Sequence, residues 1–251
     1  MATPTNPGPV IRVEELVKSF GKQKVLTGFG LAVRAGETVA VLGKSGTGKS
    51  VLLKLLIGLQ KPDSGSICLQ GKELTELSLD ELNALRKRVG FLFQNAALYD
   101  SLTVEENVAF PLRRHSDTPE AELHQRVQQL LARVGMEHDL AKMPSDISGG
   151  MKKRVGLARA LALDPEILLF DEPTAGLDPI TAGEIGELIL KLKREHSITS
   201  VVVTHDIRAA KTFSDRFVVI HEGRVLAEGT FEELEKSKEP FVASYWKSAA
   251  A

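Results

Sequence analysis

Residues 43–50 read GKSGTGKS, and the fold follows from what lies on either side of them. Gly43, Gly46 and Gly48 let the backbone bend so that successive N–H groups converge on one point, with Lys44, Ser45 and Thr47 filling the positions between. Upstream, Thr38–Leu42 is a short apolar run, the pattern of a buried central strand. Downstream, Lys49–Leu59 is apolar and of helical length, and Pro62 and Gly65 mark the loop after it. A glycine loop between a strand and a helix start is an anion cradle, because N–H groups and the positive end of the helix dipole point the same way. In that geometry Lys49 reaches the β- and γ-phosphates of a nucleotide and the Ser50 hydroxyl ligates magnesium. Val51 follows directly on the cradle.

A second stretch gives the cradle its partner. Ile167–Phe170 is apolar enough to be a strand buried on both faces, and it ends in Asp171 and Glu172. By itself this is an ordinary strand closed by solvated charges. Together with the glycine loop, Asp171 is expected to hold magnesium through water, and Glu172 to accept a proton from an attacking water or to orient it. The expected cofactors are therefore ATP and Mg2+.

Composition narrows the setting. At 251 residues the chain can bury one or two domains, and its net charge of −1 argues against bulk electrostatic binding to nucleic acid. The single cysteine, Cys68, cannot form an internal disulfide, and the six histidines show no metal-ligand spacing. No apolar run approaches the roughly 18 residues of a membrane span. The opening MATPTNPGPV lacks the basic start and apolar stretch of a secretory signal, so residues 1–9 read as a floppy tail.

Along the chain, Val25, Thr27, Phe29, Leu31 and Val33 alternate with polar or small residues, the period of a half-buried strand. Ser66–Gln70 and Val89–Phe93 read as further strands. Residues 94–163 change character. Thr118-Pro119 is a helix start, with Thr118 as cap, and Leu123, Val127, Leu130, Leu131 and Val134 form one apolar stripe ended by Gly135. Alternation of strand and helix returns from residue 164. Ile185, Leu188, Ile189 and Leu192 mark a helix, Ser200–Val203 a strand, and Glu222-Gly223 a hairpin turn. Thr230 with Glu233 is a capping box. The expected division is an α/β core over 10–93 and 164–230, a helical subdomain over 94–163, and a C-terminal helix and tail over 231–251.

Residues 147–151, ISGGM, place a serine and two glycines at another helix start and so form a second anion site. Here the chain resembles the ABC ATPases, whose LSGGQ signature precedes the carboxylate strand, and the resemblance covers about residues 10–230. It implies a P-loop NTPase (RecA-like) core with an antiparallel β subdomain and an inserted α-helical subdomain. It also implies roles residue by residue. Gln94 matches the family's Q-loop and so becomes a magnesium or water ligand and a sensor of subdomain rotation. Ala175-Gly176-Leu177-Asp178 matches the D-loop. His205, after the strand Ser200–Val203, matches the switch histidine that meets the γ-phosphate. Phe20 matches the aromatic that stacks on adenine; the alternative is a core aromatic on a strand. In such ATPases two chains sandwich two ATPs, so Ser148, Gly149, Gly150, Met151 and Asp178 are expected to act across a homodimer. ATP then promotes dimerisation and hydrolysis releases it.

Within that family the chain looks most like the Mce-associated lipid transporters, the group of the maintenance-of-lipid-asymmetry (Mla) system and the chloroplast lipid importer. The indicators are Val51, Met151 in place of the usual glutamine, and Asp178-Pro179-Ile180-Thr181. This implies phospholipid or a similar hydrophobic cargo, integral-membrane permease subunits, an Mce-type lipid-binding protein, and a cytoplasmic position on the inner (plasma) membrane through the permease. An importer for another small solute would share most of these motifs. ABC ATPases that act on DNA carry a long coiled coil between cradle and signature, and residues 51–147 hold no sustained heptads. Translation-associated members usually carry two ATPase units in one chain, and a non-hydrolytic subunit would not be expected to keep Glu172 and His205. Residues 96–111, with Leu98, Tyr99, Leu102, Val104 and Phe110, are expected to form a groove for a permease helix. Phe241, Tyr245 and Trp246 either clasp the partner ATPase or pack on their own domain.

Overall fold

A computed structural model describes residues 8–250. The strands β1 (Ile11–Phe20), β2 (Gln23–Val33), β4 (Ser64–Leu69) and β5 (Lys72–Glu73) form an antiparallel sheet of order β2-β1-β4-β5. The strands β3 (Thr38–Leu42), β6 (Val89–Leu92), β7 (Ile167–Asp171), β8 (Thr199–Thr204), β9 (Arg216–His221) and β10 (Arg224–Gly229) form a second sheet of order β10-β9-β3-β8-β7-β6. Its pairs are parallel except for the β9–β10 hairpin, which turns at Glu222-Gly223 as its sequence predicts.

Side-chain alternation splits the interior at this second sheet. Val39, Val41, Ile167, Leu169, Val201, Val203, Val218 and Ile220 face a core shared with helix α1 (Lys49–Leu56) and the antiparallel sheet. Their neighbours Ala40, Leu42, Leu168, Phe170, Val202, Phe217 and Val219 face a core filled from the helices α3 (Val104–His115), α4 (Glu120–Arg133), α5 (Gly149–Leu161), α6 (Pro179–His196), α7 (Ile207–Phe213) and α9 (Pro240–Ala250). Two-sided burial is why these strands read as near-continuous apolar runs. Helix α2 (Leu79–Arg86) flanks the antiparallel side, and α8 (Phe231–Glu235) precedes α9.

Three expectations change. In β2 the inward residues are Leu26, Phe29, Leu31 and Val33, with Val25 and Thr27 half-buried. Register shifts between Leu16 and Val17 of β1, opposite Gly28, slip the phase of the alternation, as a bulge does. Helix α1 stops at Leu56, because Gly58 adopts a left-handed conformation (φ 64°) and turns the chain. Thr118 does not cap α4. Pro119 is its N-cap, and the Thr118 hydroxyl accepts a hydrogen bond from Ser116 Oγ at 2.9 Å. The Thr230–Glu233 capping box forms, and Ser148 and Asp178 cap α5 and α6 with their side chains.

Gly90 sets how closely α5 approaches β6. A Cβ there would lie 2.4 Å from the Ala160 carbonyl oxygen and 2.5 Å from Leu168 Cδ2. Gly90→Ala should therefore push helix and strand apart and cost about 1–3 kcal/mol. A denaturation midpoint equal to that of the unsubstituted chain would contradict this.

Candidate nucleotide site

The loop 43–50 leaves β3 and enters α1. Gly46 (φ 81°) and Gly48 (φ 96°) hold left-handed backbone that a side chain would strain. Gly43 is needed for space, since a Cβ would sit 2.6 Å from Ile220 Cγ2 and 2.8 Å from Thr47 Oγ1. Thr47 Oγ donates to the Lys44 carbonyl at 2.8 Å and closes the loop on itself. Helix α1 has neither a side-chain cap nor an acidic residue in its first turn. Its first N–H groups and its dipole are thus left to an anion. Lys44, Ser45 and Gly46 are exposed at the rim, and Val51 is half-buried behind it.

Lys49 lies inside the loop, 6% exposed, and donates to the carbonyls of Gly43 (2.7 Å) and Lys44 (3.1 Å). Burial pulls its pKa down, while Glu172, with Oε1 3.7 Å away, acts the other way. Ser50 Oγ donates to Asp171 Oδ1 at 2.8 Å, and burial raises the Asp171 pKa.

Glu172 has φ 47°, a left-handed value that costs a non-glycine residue about 1–3 kcal/mol. This conformation answers a geometric difficulty, because successive residues of a strand point to opposite faces. Leaving the strand in this way brings Asp171 to Ser50 and Glu172 to Lys49. Glu172 Oε2 accepts hydrogen bonds from Thr204 Oγ (3.0 Å), the His205 backbone N–H (3.3 Å) and His205 Nδ1 (2.9 Å). The Glu172 carbonyl accepts from Lys153 Nζ at 2.8 Å. Burial brings the Lys153 pKa down to about 8 against the pull of the two carboxylates.

The donor set suits a hard, oxygen-loving ion. Among the described residues no group of three or more His, Cys, Asp or Glu could hold a metal alone. One hydroxyl and one carboxylate side by side are what magnesium needs when it arrives with phosphate and keeps water ligands.

Gln94 follows β6, whose last residue Leu92 pairs with Phe170, so it leaves the sheet at the same end as Asp171, with its side chain exposed. The turn after it is unusual. Ala96 (φ 56°) and Ala97 (φ 49°) are both left-handed, and Arg159 of α5 donates to their carbonyls at 2.6 and 2.7 Å. Phe20 is 45% exposed at the end of β1, with Lys18 Nζ 5.5 Å from its ring, so it is no core aromatic. Val104, by contrast, is fully buried and belongs to the core rather than to a groove. Tyr99 and Phe110 pack with their ring centroids 4.8 Å apart and their planes tilted by 45°, and stay 45% and 42% exposed.

At the tip of α5, Ser148 and Gly149 are exposed, and Ser148 Oγ accepts from the Met151 N–H at 3.3 Å. Gly150 is buried, where a Cβ would meet Thr181 Cγ2 at 2.4 Å. Asp178 is occupied as a cap, accepting from Thr181 Oγ (2.6 Å) and from the N–H groups of Ile180 and Thr181 (both 3.1 Å). The Thr181 hydroxyl, first among these, holds the Asp178 pKa down. Among the described residues no hydrogen bond joins 147–151 to the cradle of the same chain.

Sequence reasoning missed three participants. Thr204 carries no motif. Lys153 had a signal, since it follows Gly150 and precedes Leu157 on the buried face of α5. Tyr245 was singled out for its ring, but its hydroxyl is what reaches the site, 3.3 Å from the Gly43 carbonyl and 3.4 Å from that of His205. Burial, its largest influence, pushes its pKa up to about 12. Trp246 packs edge-on against Phe217, so these aromatics pack on their own domain.

Known proteins share this architecture. A solved dimer of the ATP-binding cassette MJ0796, in a post-hydrolysis state bound to ADP and Pi, superposes with a TM-score of 0.80 at 34% identity, covering 88% of this chain and 98% of that one. The fold is thus the ABC ATPase fold. The "Probable ribonucleotide transport ATP-binding protein mkl" of Mycobacterium tuberculosis is 43% identical over 95% of this chain, which spans 66% of that relative's length. The "Intermembrane phospholipid transport system ATP-binding protein MlaF" of Haemophilus influenzae is 41% identical over 95% of this chain and 90% of its own. The family profile for ABC transporters matches residues 26–175, from β2 through the cradle and the ISGGM segment to just beyond both carboxylates. With the motifs, the geometry and the relatives in agreement, the chain belongs to the ABC transporter family.

Proposed function

We propose that this chain is the ATP-hydrolysing subunit of a transporter, working as two copies beneath a separate membrane permease and powering the movement of phospholipid or a similarly hydrophobic cargo. The observation that carries hydrolysis is the setting of Glu172. It is a buried carboxylate held by Thr204 and His205 and set beside Lys49. A base fixed there accepts a proton from water approaching the terminal phosphate. Lys49 exchanges its two loop carbonyls for phosphate oxygens, and the exposed Phe20 offers a face to adenine. Magnesium would be held by Ser50, Asp171 and Gln94, and when bound it neutralises charge on the phosphates. His205 shares its Nδ1 proton with Glu172, so a neutral ring presents Nε2 as an acceptor and donates to phosphate there only as imidazolium.

The Ser148–Met151 tip, exposed at Ser148 and Gly149 and unbonded to its own cradle, fits a role on the nucleotide of a second copy, with Asp178 beside it. The Tyr99–Phe110 pair is the apolar surface offered to a permease helix, which would hold the protein on the cytoplasmic face of the membrane. Among the described residues no helix is long and apolar enough to cross a membrane. The lipid assignment rests on Val51, Met151 and Asp178-Pro179-Ile180-Thr181 and on the phospholipid transport named for the MlaF relative; an Mce-type protein is the expected further partner. The mkl relative's name supports a second reading, a ribonucleotide cargo.

The test is to purify the chain with its membrane partners in nanodiscs, extract bound small molecules for mass spectrometry, and measure ATP turnover with added phospholipid or ribonucleotide. Co-purified phospholipid and lipid-stimulated turnover are expected. Stimulation by ribonucleotide alone would replace the lipid reading.

A further inference from the structure

Lys153 is a charged group to which the roles above give no task. It is 4% exposed, yet it ends in an ammonium, which is costly to bury without strong partners. Its Nζ donates at 2.8 Å to the main-chain carbonyl of Glu172, the residue proposed as general base. That peptide belongs to a residue held in a strained left-handed conformation, with φ 47°. Several other groups grip Glu172: the Val203 carbonyl accepts its N–H at 2.9 Å, the Ala175 N–H donates to its carbonyl at 3.2 Å from the following turn, Thr204 and His205 bind its carboxylate, and Lys49 lies 3.7 Å from it. Lys153 grips it from α5.

The position of Lys153 on α5 is what gives the bond meaning. The helix runs from Gly149 to Leu161, with Ser148 as its cap. Its exposed tip is the segment assigned above to a second copy's nucleotide, and Lys153 lies little more than one turn further along. A helix this short moves as a rod, so a shift of the tip is a shift of Nζ relative to the Glu172 carbonyl. Gly150, pressed on Thr181, leaves the tip no independent freedom on that side.

We propose that Lys153 is a positioning residue that couples the seating of the α5 tip on the partner's nucleotide to the alignment of this chain's own Glu172. The general base is then set for reaction only when both nucleotides of the sandwich are in place, so the two sites fire together. This rests on the two-copy sandwich reading.

The experiment is steady-state ATP turnover against ATP concentration, using the assembled transporter with Lys153→Met and Lys153→Arg, alongside ATP-driven dimerisation of the full chain. The unsubstituted protein is expected to give a Hill coefficient between one and two, the ceiling for two sites. Lys153→Met should bring it to about one and lower kcat about tenfold or more, with half-saturation changed less than about threefold. Lys153→Arg, which keeps a donor, should restore most of both. A merely structural residue would lower the melting temperature and leave the Hill coefficient of the folded fraction unchanged. Should Lys153→Met fail to fold, Lys153→Gln is read in the same way. A cooperative parent beside equally cooperative Lys153→Met or Lys153→Gln overturns the inference alone. A non-cooperative parent that does not dimerise with ATP overturns the sandwich reading, and the inference with it.

Discussion

Glu172→Gln is expected to lower ATP turnover by about 10²–10⁴-fold while leaving nucleotide binding nearly intact. The substitution keeps size and shape. The amide oxygen can still accept from Thr204 Oγ and the His205 N–H, which now bond Oε2 at 3.0 and 3.3 Å. It cannot accept a proton at neutral pH, and its NH2 group, turned toward Lys49 Nζ, replaces an attraction across 3.7 Å with none. Binding to the cradle, made by N–H groups and Lys49, is untouched. The ATP-bound pair should therefore accumulate, because hydrolysis is the step that separates it. Phosphate release and light scattering with saturating ATP read both effects, and near-normal phosphate release would show that another group supplies the base.

Lys49→Ala should weaken ATP binding by about 10²–10⁴-fold. Two charge-assisted hydrogen bonds to phosphate are lost, each contributing about 1.5–3 kcal/mol. The buried ammonium also offsets Asp171 and Glu172, both of which raise its pKa against the effect of burial. Without it the two carboxylates share a low-dielectric site with only Lys54 and Lys153 to offset them, so the cradle becomes less hospitable to further negative charge. Calorimetric titration with ATP checks this, and an unchanged dissociation constant would mean that the backbone alone binds the phosphates.

How much of this was legible in the sequence depended on how local the physics is. The strand–loop–helix around residues 43–50 was readable because glycines, an apolar run and a helix start are short-range signals. So was the hairpin at Glu222-Gly223. The inward face of β2 was misread because the bulge at Gly28 depends on pairing with β1, and a single strand does not show its partner's register. The cap of α4 was misread because Ser116, two residues before Thr118, competes for its hydroxyl. Val104 and Phe110 look alike as apolar residues of one segment, and only the packing of α3 sends one inward and leaves the other in solvent. At the site, the residue types were visible, but not the left-handed turn that brings Asp171 and Glu172 to the same loop, nor the hydrogen bond from Lys153, which joins positions 19 apart.

The bond from Tyr245 to the Gly43 carbonyl spans 202 residues, and β3, which carries the cradle, pairs with β8 and β9 from far along the chain. During synthesis the GKSGTGKS loop leaves the ribosome early, but its supporting strands and its hydroxyl contact arrive only with the final quarter of the chain. Long-range closure of this kind slows folding and leaves apolar strands waiting for partners. A growing chain thus carries its phosphate loop well before that loop has its finished shape, and nucleotide capture waits until β8, β9 and α9 have been made.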